Sequence, residues 1–220
     1  MKEKVRKMLL DEANKAVIDI AKKLGLKQVP VVVMSENQYG FSFVTWKENY
    51  ERGSVFTQNI VVSTEPEYII NICNSLVDIV STMYLFCMKN DAFIADVAYC
   101  ICLHECRHIH QAETGFFNGE VREMFVSDNT YNRAEKDADS YMLSHAGDKE
   151  LVAKFFQLKN YGNYVKDWEL FKDTDKAEKM VYAHYAPLFY MLVELLGYLT
   201  NKKVWVVSAL VSILMYFINR

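Results

Sequence analysis

Cys100 to Gln111, CICLHECRHIHQ, is an apolar helical run that closes on His104, Glu105, Cys106, Arg107 and His108. On an α-helix, residues four apart share a face, with β-carbons about 5–6 Å from one another. His104 and His108 can therefore reach one metal ion together, with nitrogens at about 2.0–2.1 Å. Glu105 is turned about 100° from His104 by the 3.6-residue period and stays out of the ligand pair. It is placed to act as a general base toward water that the metal activates. With 5 His and 16 Glu among 220 residues, HExxH is expected by chance only about 0.008 times, so the motif is itself informative.

Two histidines are half a site. A catalytic zinc takes three protein ligands and keeps a fourth position open, so a third must come from another segment. Residues 132–143, NRAEKDADSYML, place Glu135 and Asp139 four apart on a second helix, facing the same way. Glu135 is the best candidate for the third ligand. Asp137 competes but lies about 200° from Glu135. Cys106 is about 200° from His104 and reads as packing, and His110, about 200° from His108, reads as exposed.

The chain is long enough for one domain, or a domain with a helical extension. It is 51% hydrophobic and 24% charged, which suits a globular core. A net charge of −3 and a pI near 6.0 carry no electrostatic footprint for nucleic acid, so DNA and RNA binding are set aside. Cys73, Cys87, Cys100, Cys102 and Cys106 all fall in apolar stretches, which reads as buried reduced thiols in a reducing compartment. The first twenty residues lack the apolar core of a secretory signal. The expectation is a cytoplasmic protein.

In chain order, Val5, Leu9, Ala13, Ala16, Val17, Ile20 and Leu24 recur at helical spacing and Gly25 follows as a stop. Val29–Met34, Phe41–Trp46 and Val55–Ser63 read as three short strands. Residues 67–88 read as one largely buried helix with a polar stripe of Asn71, Asn74 and Asp78. Asn90 or Asp91 then caps the metal helix, about 92–113, whose first half is apolar nearly all round and therefore central. Asp96 shares a face with Arg107, through a common partner or in separate polar contacts. A connection over 116–129, a helix over 130–146 closed by Gly147, and a helix over 149–160 follow. Beyond a loop at Gly162 and Asn163, an apolar helix runs over 176–200 with a kink near Pro187. The fold class expected is α+β: a mostly helical domain with a small three-stranded sheet and a helical C-terminal extension.

HECRH at 104–108, followed by Glu135, Lys136, Asp137, Ala138 and Asp139, resembles the HExxH plus ExxAD pattern of gluzincin-type zinc metallopeptidases. It looks most like the minigluzincins, the HtpX-like membrane peptidases and the ImmA/IrrE-like group, over about residues 1–146. The resemblance implies a zincin-like domain over 1–146, with 147–220 as the extension. It makes His104, His108 and Glu135 ligands of Zn2+, Glu105 the catalytic base, and Asp139 the acceptor of a hydrogen bond from a ligand histidine. It implies an extended peptide or protein substrate along an edge strand, expected at Val55–Ser63. His145, His184, Tyr131 and Tyr141 are the candidates for stabilising a transition state. The alternative function is a zinc-stabilised binding or regulatory protein without turnover.

Val204 to Ile218 carries no charge and is flanked by Lys202, Lys203 and Arg220. Fifteen helical residues span about 22 Å, short of a hydrocarbon core of about 30 Å. Two expectations stand for this run: association with a membrane, or packing against residues 176–200.

Overall fold

Helix α1 (Lys2–Leu24) forms where the apolar stripe places it, burying Val5, Leu9, Ala13, Val17, Ile20 and Ala21. Gly25 ends it in the left-handed region at φ 69°, with the Gly25 and Leu26 amides returning to the carbonyls of Lys22 and Ala21. The computed structural model describes residues 1–36, 40–46, 67–116, 128–164 and 168–200. The strand expected at Val55–Ser63 and the run Val204–Ile218 lie outside the described residues.

Among the described residues three strands form one mixed sheet: β1 (Val31–Ser35), β2 (Ser42–Trp46) and β3 (Tyr68–Cys73), in the order β1-β3-β2. β1 runs parallel to β3, with Val31 opposite Ile69, and β2 runs antiparallel, with Ser42 opposite Ile72. The helix expected over 67–88 is thus corrected in its first third, which is the central strand. All six residues of β3 are buried. A strand covered on both faces reads as an unbroken apolar run, and over six residues such a run has no period that separates it from a buried helix. Asn71 sits in it, its amide donating to Thr45 Oγ1 across the sheet at 3.0 Å.

Helix α2 (Asn74–Phe86) carries the rest of the expected polar stripe. Asn74 accepts from Arg6, and Asp78 pairs with Lys2 at 2.6 Å, so the stripe binds α2 to the start of α1. Helix α3 (Asp91–Glu113) follows, and its N-cap is Asn90, whose side chain accepts from the Ala92 amide at 3.1 Å. Helices α4 (Asp128–His145), α5 (Glu150–Tyr164), α6 (Trp168–Tyr185) and α7 (Pro187–Thr200) complete the described chain, with a short 3-10 turn at Gly147–Lys149. α5 continues helically through Gly162 and Asn163, where a loop was expected, and the helix placed at 176 begins at Trp168. The expected kink is a break: α6 stops at Tyr185 and Pro187, which lacks an amide hydrogen, opens α7.

The fold class is α+β, mostly helical with a small mixed sheet. One hydrophobic cluster joins α1, the sheet, α2 and α3 to Val152, Phe155 and Phe156 of α5 and to Ala177 and Val181 of α6. α3 lies at its centre, packed most extensively on α1. All five cysteines are free and buried. Burial pushes the thiols of Cys73, Cys87 and Cys100 up to about 12, which leaves them protonated and inert at neutral pH.

Candidate metal centre

The site is built on two helices that the core holds in place. From Phe93 to Ile109 α3 is buried on nearly every side, and His104, Glu105, His108 and Gln111 are buried with it. α4 faces it through Ala134, Ala138 and Met142, all at most 2% exposed. Two alanines at the contact let the helix backbones approach, so that the short side chains of Glu135 and Asp139 reach the histidines.

His104 Nε2 and His108 Nε2 lie 3.0 Å apart, and each is 3.3 Å from a carboxylate oxygen of Glu135. An ion with four ligands at about 2.0–2.1 Å in tetrahedral array has ligand atoms about 3.3–3.4 Å from one another. The two 3.3 Å separations go to different oxygens of Glu135, so its carboxylate faces both imidazoles, and one donor atom from each of the three residues lies within 4.8 Å of the others. Among the described residues this is the one group of His, Cys, Asp or Glu able to share a metal ion.

The hydrogen bonds behind the triad set the histidine tautomers. His104 Nδ1 is 3.0 Å from Asp139 Oδ1, a carboxylate that only accepts. His108 Nδ1 is 2.9 Å from Gln111 Oε1. The orientation of that amide follows from its nitrogen, which donates to the Ala134 carbonyl at 2.9 Å and to Asp137 at 2.8 Å. Both Nδ1 atoms therefore carry a hydrogen, which leaves Nε2 of each ring as the position that faces the triad and that would ligate a metal once its own proton is displaced. Asp137 is the anchor of this arrangement. It also takes a two-point hydrogen bond from Arg107 at 2.6 and 3.1 Å, and that guanidinium holds its carboxyl below the usual range. This engagement removes Asp137 as a competing ligand.

Charge in the pocket favours a cation. Burial alone lowers the proton affinity of His104, but the hydrogen bonds to Asp139 and Glu135, with the charge of Glu105 nearby, outweigh it and raise the affinity well above normal. Burial alone raises Glu135, yet the hydrogen bonds to His104 and His108 prevail and hold it well below the usual carboxylate range. A divalent ion answers the same excess of negative charge.

Glu105 is 3% exposed, and its carboxylate accepts from Ser42 Oγ at 2.6 Å. The strand in contact with the expected base is thus β2, and β2 is an edge of the described sheet. Of the other candidates, His145 is exposed, stacked on Tyr141 at 3.9 Å and bonded to Ser144. His184 is exposed, on α6. The side chain of Tyr131 lies outside the description. His110 is half-buried, not exposed, because Arg107 reaches its Nδ1 at 3.1 Å. Asp96 and Arg107 have separate partners: Asp96 accepts from the Tyr185 hydroxyl and lies 3.7 Å from Lys149.

Ser42 and Gln111 were absent from the sequence-level site. Gln111 has a local signal, since a residue three beyond a ligand on a helix is within reach of it. Ser42 has none, standing 63 residues from its partner. Asp139→Asn, which keeps an acceptor but loses the charge, is expected to weaken metal binding about 10–100-fold. Competition against a chromophoric chelator measures it, and an unchanged affinity would remove Asp139 from this role.

Fold and site together define a mostly helical α+β protein with a His-His-Glu cluster, its histidines buried and its glutamate half-buried, that could hold a metal ion. No family model, curated protein or solved structure matches the chain. The likeness to gluzincin peptidases rests on the two sequence motifs and on this triad.

Proposed function

We propose that the chain is a zinc-dependent metallopeptidase. The observation that carries this reading is a nitrogen-rich triad whose donor atoms converge on one point, with a second carboxylate, Glu105, next to it in sequence and outside it in space. Two imidazoles and one carboxylate suit zinc better than magnesium or calcium, which take oxygen ligands. When bound, zinc lowers the pKa of water toward neutrality and polarises a scissile carbonyl. Glu105 takes the proton from the attacking water and returns it to the leaving amine. Ser42 holds the carboxylate in one orientation for this work, and its low exposure keeps bulk water from competing. An extended peptide laid along β2 by main-chain hydrogen bonds brings a carbonyl toward Glu105.

Elemental mass spectrometry on the purified chain, paired with cleavage of an unfolded protein substrate, tests the proposal. About one zinc per chain and cleavage stopped by a chelator are expected. No metal after dialysis against zinc would overturn the site, and iron in its place would overturn the hydrolytic assignment. Zinc without Glu105-dependent cleavage of any peptide would leave a zinc-stabilised binding or regulatory protein.

A further inference from the structure

Helix α7 (Pro187–Thr200) leaves the core at Ala186 and packs chiefly on α6. Seven of its fourteen residues are large apolar side chains between 47 and 82% exposed, among them Leu188, Met191, Leu192, Leu195 and Leu196. We propose that α7 docks into the apolar layer of a lipid bilayer.

The angular spread of these side chains selects the occupant. At about 100° per residue they cover an arc of roughly 220°. A helix packed on one neighbour buries a stripe about 100° wide, so a single further helix, including any formed by Val204–Ile218, leaves half of the arc in water. Lipid chains surround a helix and cover the whole arc. The sequence continues the same way: after Asn201, Lys202 and Lys203 it carries fifteen more uncharged residues. α7 is about 21 Å long against a hydrocarbon core of about 30 Å, and no helix among the described residues is long and apolar enough to cross a membrane. With a net charge of −3, the chain has no general attraction to anionic headgroups, so apolar burial drives binding and salt leaves it unchanged.

The test is flotation of the full chain with phosphatidylcholine vesicles, comparing wild type with a Leu192→Glu, Leu196→Lys double variant. That pair adds no net charge and forms a favourable contact four residues apart, so α7 keeps its helicity. Wild type is expected to float equally at low salt and at about 0.5 M salt. The variant should partition at least about tenfold less, with its circular dichroism and metal content unchanged. Metal content is a separate readout, so failure here does not bear on the peptidase reading. Wild type that stays with the heavy fractions, a variant that floats equally, or binding lost in salt would each overturn the proposal. So would a wild-type dimer that the variant makes monomeric without any vesicle binding, which would assign the face to a second copy.

Discussion

Glu105→Gln is expected to lower peptide hydrolysis by about 10²–10⁴-fold while leaving the metal in place. The amide has the size of the carboxylate and keeps an oxygen for the Ser42 hydroxyl, which donates to Glu105 at 2.6 Å. It cannot accept the proton of an attacking water. Glu105 is not part of the triad, so metal content should stay at the wild-type value. An interaction made only on the way to the transition state appears in kcat, with KM little changed. Retained turnover in this variant would sink the assignment of the base. A loss of metal along with activity would mean that Glu105 supports the ligands instead.

Glu135→Ala is expected to weaken metal binding by about three orders of magnitude, since on the proposed reading it removes one of three ligands from a site whose binding energy is shared among them. Metal that binds only the folded state stabilises by RT ln(1 + [L]/Kd), so at a metal concentration 1,000 times the Kd the wild type gains about 4 kcal/mol. The variant should lose most of that gain. Thermal melting with and without a chelator reads both quantities, and equal melting shifts in the two proteins would exclude Glu135 as a ligand. The pH dependence has a definite sign. A protonated His104 cannot ligate, and its proton affinity is raised by Asp139 and Glu135 against the opposing effect of burial. Metal affinity therefore falls as pH drops through the raised folded value. In chelated protein the same shift acts the other way: the protonated imidazole contributes stability that is full below the unfolded value of about 6.5 and is lost as pH rises through the folded one. Glu135, depressed in the fold, contributes above its unfolded value and loses that contribution as pH falls.

Leu192 and His108 mark two limits of reading a chain locally. His108 is four residues from His104 on a helix whose apolar surroundings are visible in the sequence, so their shared face is a matter of helix geometry alone. Leu192 belongs to a segment just as apolar, yet nothing in its own period tells whether the neighbour is a core, lipid or another chain. Tyr68 to Cys73 show a third case, where six buried residues fit strand or helix equally until their partners Ile70–Val44 and Ile70–Val32 are known.

Sequence alone determined the helix over α1, a cap at Asn90 or Asp91, the metal-helix motif and the shared face of Glu135 and Asp139, because each depends on contacts within one or two helical turns. Only the tertiary structure decided that β3 is the central strand, that Ser42 meets Glu105, and that Asp137 turns through Gln111 to set His108. Those contacts join segments 23 to 63 residues apart, and what brings such segments together is burial of apolar surface in the shared core, which leaves no periodic trace in any one of them.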